Sequence, residues 1–330
     1  MGRFISRKPL TAQGVLVLPK HSCTVEPMQK RQKVLVIVGP TASGKSTLAV
    51  ELAKKFNGEI ISADSRQVYK RLDIGAGKIT KREMRGVPHH LLDEMSSHRL
   101  FTAHDFVARA SRSVVDISSK GKLPIIVGGT GFYIDALVGR IALPNVPMNP
   151  KLRKRLEKMT AEQLFVLLKK RDSRRAKTID RHNKRRLVRA LEIASALGHI
   201  PVPNTKDGPW YDVFWIGILR DKQELEKKIT IRLFARIRLG MIAEAKYLHR
   251  KGLSYKKMES FGLDYKFLAL LLQKKISRKE FDEMLVRDSV RYAKRQMTYW
   301  KRNRDIMWFK PSQIKRIDKI VRSFVGSAKS

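Results

Sequence analysis

The chain has 330 residues, and its 70 lysines and arginines against 30 aspartates and glutamates give a formal net charge of +40. Apolar residues make up 42% of the chain, which is enough for a folded core and excludes a disordered polycation. No uncharged apolar run reaches the roughly 18 residues of a membrane span, and the single cysteine, Cys23, excludes an internal disulfide. A charge of this size predicts a polyanionic partner, with nucleic acid preferred over a membrane surface.

Residues 1–31 carry six cations and one acid, without a periodic pattern. We expect a disordered basic tail there. A basic, acid-poor start is also typical of an organelle transit peptide, and translation could instead begin at Met28. We expect a cytoplasmic protein, with organelle targeting left open.

From Lys33 onward, short apolar runs alternate with helical patterns. A helix is predicted over Ser46–Phe56, and Gly58 ends it. Because strands that alternate with helices are typical of a doubly wound α/β sheet, this is the predicted fold class. The predicted strands, rich in β-branched residues and buried on both faces, are Val34–Val38, Glu59–Ser62, Leu123–Val127 and Val213–Leu219.

The remaining boundaries follow from changes in composition. A Pro/Asn-rich linker ends at Pro150, and residues 151–190 then carry 16 lysines and arginines against 4 acids. Helical patterns cover 224–250 and 281–302. The predicted organisation is a basic tail at 1–31, a core begun by 32–143 and completed by 211–310 with a helical C-terminal part, a basic helical insertion at 144–210, and a second basic tail at 311–330.

The segment GPTASGKS at 39–46 matches G-x-x-x-x-G-K-[ST] between a predicted strand and a predicted helix, the context that this motif requires. Its glycines let several backbone N–H groups face one anion, and the following helix adds its positive end. Lys45 adds a point charge, and the Ser46 hydroxyl is a ligand for Mg²⁺. A structural glycine turn is the alternative. The predicted diphosphate-binding residues are Gly39, Pro40, Thr41, Ala42, Ser43, Gly44, Lys45 and Ser46.

The second predicted strand ends in the sequence SADSRQ at 62–67. The carboxyl ends of parallel strands face the ligand crevice, so Asp64 is expected near the phosphates. A carboxylate there can accept a proton from a nucleophile, and Gln67 can both donate to and accept from a base edge. The alternative for Asp64 is to cap the next turn, and spacing alone does not decide between the two.

Several further segments resemble the tRNA dimethylallyltransferase family, also called tRNA isopentenyltransferases. The resemblance runs from about Lys33 to about Arg304. It implies a P-loop NTPase-like parallel sheet with a basic helical insertion. It also implies transfer of a dimethylallyl group from dimethylallyl diphosphate to N6 of the adenosine 3′-adjacent to the anticodon in tRNA, with Mg²⁺ as cofactor. The segments are ISADSRQVYKRLDIGAGK, GVPHHLLD, LPIIVGGTGFYIDAL, RRLVRALE, RLFARIRLGMIAEA, FGLDYK and AKRQMTYWKR.

The resemblance also implies residue roles. Asp64 would be the catalytic base, and Lys45 and Arg232 would stabilise the departing diphosphate. Spacing alone favours a solvated helix position for Arg232 and for the arginines of the segment 185–189. For Thr130, the alternative is the N-cap of a helix. The tRNA-contacting residues implied by the resemblance are Asp64, Ser65, Arg66, Gln67, Thr130, Arg153, Arg185, Arg186, Leu187, Val188 and Arg189.

Near the C-terminus, cations alternate with aromatic residues. Tyr292, Gln296, Tyr299 and Trp300 share one helix face, which favours a core stripe. The cations beside them, Arg291, Lys294, Arg295 and Lys301, are better candidates for RNA contacts.

Two other functions remain open from the sequence. The first is a small-molecule kinase that uses ATP at the same phosphate loop. The second is a nucleic-acid-binding protein with an inactive loop, which the intact Lys45 and Ser46 disfavour. A monomer is expected.

Overall fold

A computed structural model describes residues 31–202 and 210–327 of the chain. The described residues form two compact units, one from 31–138 with 210–327 and one from 139–202. Apart from Arg31, the predicted N-terminal tail, including Cys23 and Met28, lies outside the described residues.

The larger unit is built on a six-stranded parallel sheet with the order β3–β2–β4–β1–β5–β6. This confirms the predicted parallel sheet. The two edge strands, of two and three residues, escaped prediction because they are too short to show a pattern. The strands are β1 (Lys33–Val38), β2 (Gly58–Ser62), β3 (His89–His90), β4 (Leu123–Val127), β5 (Asp212–Ile218) and β6 (Met307–Phe309).

Strand β1 lies at the centre because its side chains are apolar on both faces. Val34 through Val38 are all 0% exposed. Val36 is in register with Ile126 of β4 on one side and with Trp215 of β5 on the other. The sheet therefore presents the carboxyl ends of β1, β2 and β4 side by side.

Helices connect and cover the strands, and no helix of the described residues is both long enough and apolar enough to span a bilayer. In chain order they are α1 (Lys45–Lys55), α2 (Lys81–Met84), α3 (Ala103–Ser119), α4 (Gly131–Leu137), α5 (Pro150–Leu156), α6 (Ala161–Arg171), α7 (Ser173–Ala176), α8 (Lys184–Leu197), α9 (Lys222–Arg238), α10 (Met241–Arg250), α11 (Tyr255–Ser260), α12 (Leu263–Leu272), α13 (Arg278–Trp300) and α14 (Ile314–Gly326).

Two sequence predictions about helices are wrong. Residues 224–250 form two helices, not one, because Gly240 adopts a left-handed conformation with φ 101° and separates α9 from α10. Residues 314–326, expected as a basic tail, form α14. Its Ile317 and Val321 are buried in the same core cluster as Leu35 and Leu48, so α14 completes the cover of one sheet face.

The smaller unit is a helical bundle of α5, α6, α7 and α8. Leu164, Leu168 and Leu187 are fully buried in its core. Side chains that accept a hydrogen bond from the first turn begin each helix, which is a typical way to satisfy unpaired N–H groups. These capping residues are Asn149, Thr160, Asp172 and Asn183.

One buried carboxylate ties this bundle together. Glu192 is 2% exposed and accepts from Arg153 Nε at 2.7 Å, from Arg153 Nη2 at 2.8 Å and from the Asn149 N–H at 3.0 Å. Burial alone would raise the pKa of Glu192, but the hydrogen bonds from Arg153 and Asn149 outweigh it and hold this pKa below its usual value. The ion pair between Arg153 and Glu192 therefore stabilises the folded bundle at neutral pH.

Replacing Glu192 with Gln should lower the free energy of unfolding by about 2 kcal/mol at neutral pH, since the Arg153 guanidinium loses its charged partner. The contribution is complete above the ordinary carboxyl pKa of 4.5. It is lost as the pH falls through the lowered pKa of the folded state, so wild type and variant should converge in acid. Denaturant unfolding at several pH values measures this. Glu157→Gln, which removes an exposed carboxylate from the same helical bundle, should have little effect.

Candidate active site

A cleft opens at the carboxyl ends of β1, β2 and β4, entirely within the larger unit. Its lining combines cations, a carboxylate, amide side chains and small apolar residues. The residues that line it are Thr41, Lys45, Ser46, Ala49, Ile60, Ser62, Asp64, Gln67, Ala76, Ile79, His89, Val127, Gly128, Gly129, Arg232, Tyr292 and Gln296.

The loop between β1 and α1 has the strained backbone of an anion cradle. Gly39, Ala42 and Gly44 have φ of 149°, 60° and 99°. A Cβ on Gly39 would lie 2.8 Å from the Ile218 carbonyl oxygen, so only glycine fits there. No side chain caps the N-terminus of α1. The first-turn N–H groups of this helix are therefore left for an anion.

Lys45 is the main charge of this loop. Its Nζ donates to the Pro40 carbonyl oxygen at 3.2 Å. Burial, together with the nearby Arg232 guanidinium, lowers the pKa of Lys45 to about 8, while Asp64 acts in the opposite direction. The cleft thus holds more positive charge than Asp64 can balance, which favours a bound anion.

Asp64 follows β2 and faces the same cleft. Its Oδ1 accepts from the Arg66 N–H at 2.8 Å and from the Gln67 N–H at 3.4 Å. This is the turn-capping arrangement that the sequence left as an alternative. Because Asp64 also lines the cleft, the two roles are compatible.

Gln67 and Arg232 meet at one backbone carbonyl. Gln67 Nε2 donates to the Gly77 oxygen at 3.2 Å, and Arg232 Nη2 donates to the same oxygen at 2.9 Å. The Ser62 hydroxyl donates to Gln67 Oε1 at 3.2 Å. Both predicted site residues are thus fixed by the loop that Gly77 belongs to.

That loop, residues 73–77, is held in turn by a carboxylate that sequence reasoning missed. Glu244 of α10 accepts from the N–H groups of Asp73, Ile74 and Gly75 at 2.9, 2.7 and 2.9 Å. The only local signal is a glutamate in the first turn of a helix, which is common.

Thr130 is the N-cap residue of α4, but its hydroxyl does not cap that helix. Thr130 Oγ1 instead accepts from the Ser65 N–H at 3.2 Å and so links the loop after β4 to the loop after β2. Ser65, Arg66 and Thr130 are not among the residues that line the cleft.

The aromatic stripe of α13 only partly forms core. Gln296 and Trp300 are buried, as predicted, whereas Tyr292 is 39% exposed and lines the cleft. Burial of the phenol, followed by the negative charge of Asp64, raises the pKa of Tyr292 to about 12. Tyr292 therefore belongs to the candidate site, and the prediction that assigned it to the core is wrong.

Gln296 bridges two of the cleft loops. Its Oε1 accepts from the Thr41 N–H at 2.9 Å, and its Nε2 donates to the Gly129 carbonyl oxygen at 3.1 Å. One amide of the phosphate loop is therefore satisfied by protein. No sequence pattern indicates this bridge, because the partners lie 255 and 167 residues away from Gln296.

The residues predicted to contact tRNA in the smaller unit divide into two groups. Arg185 and Arg186 are exposed. Leu187 and Val188 are 0% and 5% exposed, so their side chains pack in the core of the bundle, and their contact with tRNA stays a prediction. Arg153 pairs with Glu192, and Arg189 donates to the Val146 carbonyl oxygen at 2.7 Å. The last two arginines stabilise the bundle.

A phosphate loop after the central strand of a parallel sheet, with a carboxylate after the neighbouring strand, defines the class of P-loop α/β enzymes. Within that class, residues 67–303 match the model of the IPP transferase family.

Two bacterial proteins are similar to most of this chain. A tRNA dimethylallyltransferase of Anoxybacillus flavithermus is 39% identical over 282 residues, which cover 84% of this chain and 90% of the relative. One of Pediococcus pentosaceus is 36% identical over 312 residues, covering 89% and 97%.

Two solved structures of tRNA-prenylating enzymes are also similar to this chain. The tRNA isopentenylpyrophosphate transferase of Bacillus halodurans has a TM-score of 0.68 and 33% identity and covers 90% of this chain and 98% of its own. A eukaryotic dimethylallyltransferase acting on tRNA has a TM-score of 0.76 and 25% identity, covering 90% and 80%. The chain belongs to the tRNA dimethylallyltransferase family, which confirms the resemblance seen in the sequence.

The lowered pKa of Lys45 predicts a pH-dependent affinity for inorganic diphosphate. Below pH of about 8 the ammonium is intact, and wild type should bind diphosphate more tightly than Lys45→Met. As the pH rises above 8, free Lys45 loses its proton and the advantage should shrink. Calorimetric titration of both proteins across this pH range measures the ratio of their diphosphate affinities. The ionisation of diphosphate itself affects both proteins equally and cancels in this ratio. An affinity ratio that does not change with pH would exclude Lys45 as a diphosphate-binding residue.

Gln296→Met should lower the free energy of unfolding by about 1–3 kcal/mol, since the Thr41 N–H and the Gly129 carbonyl lose a buried partner. It should also weaken diphosphate binding, because the phosphate loop is no longer fixed. Gln223→Met on the exposed surface of α9 is the matched control. Equal stability of the two variants would contradict the bridging role.

Proposed function

We propose that this protein transfers a dimethylallyl group from dimethylallyl diphosphate to N6 of the adenosine 3′-adjacent to the anticodon of tRNA. The observation that carries the proposal is that the phosphate loop with Lys45 and the carboxylate of Asp64 line one cleft. Membership of the tRNA dimethylallyltransferase family selects the reaction among those that such a cleft could perform.

The chemistry requires a base and a stabilised leaving group. The exocyclic amine of adenine is a poor nucleophile because its lone pair is delocalised into the ring. As the C–N bond forms at C1 of the donor, the C1–O bond breaks and its electron pair leaves on diphosphate. Asp64 accepts the proton that N6 releases. The loop amides, Lys45 and Arg232 stabilise the charge that develops on the diphosphate oxygens.

Mg²⁺ fits this cleft as a cation shared between protein and donor. No cluster of three or more His, Cys, Asp or Glu side chains suited to a metal occurs in the described part of the chain. Ser46 is exposed at the cleft in the first turn of α1. Mg²⁺ commonly takes few protein ligands and is completed by phosphate oxygens and water. Ser46 would hold the ion, which when bound neutralises part of the diphosphate charge.

The smaller unit supplies an RNA-binding surface in this proposal. Its core is apolar, and its exposed charged side chains are mainly cations, among them Arg185 and Arg186. Cations of this kind neutralise phosphates and make binding depend on salt. Residues 144–210 therefore serve as the tRNA-contacting insertion, and the α/β unit carries the chemistry.

The direct test is to incubate the protein with dimethylallyl diphosphate, Mg²⁺ and unmodified tRNA, and to digest the RNA for nucleoside mass spectrometry. The expected product is isopentenyladenosine at the position after the anticodon. Consumption of ATP without a prenylated base would instead establish the kinase alternative.

Asp64→Asn should lower the rate of transfer by about 10²–10⁴-fold while leaving tRNA affinity largely unchanged. The amide keeps an oxygen that accepts from the Arg66 and Gln67 N–H groups, so the turn survives and only the base is lost. Single-turnover assays and tRNA titrations measure the two effects. Asp93→Asn, which neutralises an exposed carboxylate paired with Lys78 outside the cleft, is the control. Wild-type activity of Asp64→Asn would exclude this residue as the base.

A further inference from the structure

The 73–77 loop has no helix or strand of its own, and side chains of α9 and α10 bond its backbone. Glu244 of α10 accepts from three successive N–H groups of the loop, at 2.9, 2.7 and 2.9 Å. Arg236 of α9 donates from Nε to the Ile74 carbonyl oxygen at 2.6 Å and from Nη2 to the Gly75 carbonyl oxygen. Side chains that lie 161 to 171 residues away in the chain therefore set the conformation of this loop.

The Glu244 carboxylate is the anion that the three N–H groups share. Successive N–H groups that converge on one anion form a nest, and hydrogen bonds to a charged group are stronger than those between neutral groups. The same carboxylate accepts from the hydroxyl of Tyr265 at 2.8 Å, and Tyr265 is 1% exposed. A buried phenol thus fixes the carboxylate, and the carboxylate fixes the loop.

The break between α9 and α10 lets both helices contribute to this arrangement. Gly240, with φ 101°, adopts a left-handed conformation that favours glycine and separates the two helices. Arg232 and Arg236 are one turn apart on α9, so they share a face, and Glu244 lies in the first turn of α10. All three side chains bond the same loop.

The loop in turn determines where two residues of the cleft lie. The Gly77 carbonyl oxygen accepts from Arg232 Nη2 at 2.9 Å and from Gln67 Nε2 at 3.2 Å. Both side chains line the cleft together with Asp64, and so does Ala76 of the loop itself. A shift of the loop would therefore move the shared acceptor of Arg232 and Gln67.

We propose that Glu244 is a positioning residue for the prenyl transfer. It fixes the 73–77 loop so that Arg232 is held at the departing diphosphate and Gln67 at the target adenine. Glu244 is not among the residues that line the cleft, so it acts through the loop and not on a substrate. The inference rests on the proposed function, which supplies the two substrates.

The first test replaces Glu244 with Gln. The amide has one acceptor oxygen in place of two, so whichever way it is turned, at least one N–H group of the loop loses its acceptor. The single-turnover rate of transfer at saturating RNA and donor should fall roughly 10- to 100-fold, since small misplacements of positioned groups cost this much. Binding of inorganic diphosphate, measured by calorimetry, should weaken as well, because Arg232 is no longer fixed.

Glu59→Gln is the matched control for a loss of stability. Glu59 is 4% exposed and accepts from His90 Nε2 and from Lys122 Nζ, both at 2.7 Å, but it does not line the cleft. At a temperature at which circular dichroism shows both variants folded, Glu59→Gln should transfer at the wild-type rate. An equal loss of rate in the two variants would leave Glu244 with a structural role only and overturn the proposal.

A second test asks whether Glu244 acts through the two cleft residues. The effect of Glu244→Gln on the transfer rate should be smaller in an Arg232→Met protein and in a Gln67→Met protein than in the wild type, because part of what Glu244 positions is already absent. The full loss of rate in both backgrounds would contradict the proposal.

Glu244→Asp provides a conservative variant. It keeps the charge but is shorter by one methylene group, so its transfer rate should lie between those of the wild type and Glu244→Gln. If Glu244→Gln does not fold, the same comparisons are made with Glu244→Asp. A wild-type rate in every Glu244 variant that folds would overturn the proposal.

One outcome separates this inference from the proposed function. A wild-type protein that does not prenylate RNA would overturn the function. Weaker diphosphate binding by Glu244→Gln than by Glu59→Gln would then still support the positioning of Arg232, whereas equal binding by the two variants would overturn that as well.

Discussion

Two cations, Lys45 and Arg232, line one cleft, and the excess of positive charge there is the constraint on which the site depends. Burial and the nearby guanidinium together lower the pKa of Lys45 to about 8, and Asp64 balances only part of the excess charge. An anion with several charges, such as a diphosphate, removes this imbalance when it binds. The same charges then lie where negative charge accumulates as a leaving group departs.

The cleft is shaped mainly by bonds between side chains of distant helices and loop backbone. Glu244 binds three consecutive N–H groups of the 73–77 loop, Arg232 binds a carbonyl of that loop, and Gln296 joins the phosphate loop to Gly129. These loops have few apolar residues to pack, so satisfied polar groups take over the ordering. The helical C-terminal part is thus structurally part of the site.

The cations that give the chain its large positive charge are not all exposed on its surface. Arg153 and Arg189 bond within the helical bundle, one to a buried carboxylate and one to a backbone carbonyl, whereas Arg185 and Arg186 face solvent. Charge counted along the sequence therefore overstates the number of cations that a nucleic acid can reach. Which cations remain free depends on the acids and carbonyls that the fold places beside them.

The sequence by itself determined the parallel sheet, the phosphate loop and the position of Asp64. All three follow from residues close together in the chain, through strand periodicity and one turn motif. Only the tertiary structure decided that Gln296 bridges two loops and that Tyr292 lines the cleft instead of filling the core. It also decided that the last basic segment is a packed helix. These outcomes depend on which elements, distant in the chain, pack against each face of a helix. Periodicity identifies the residues of a face, but it does not identify the element that packs against it.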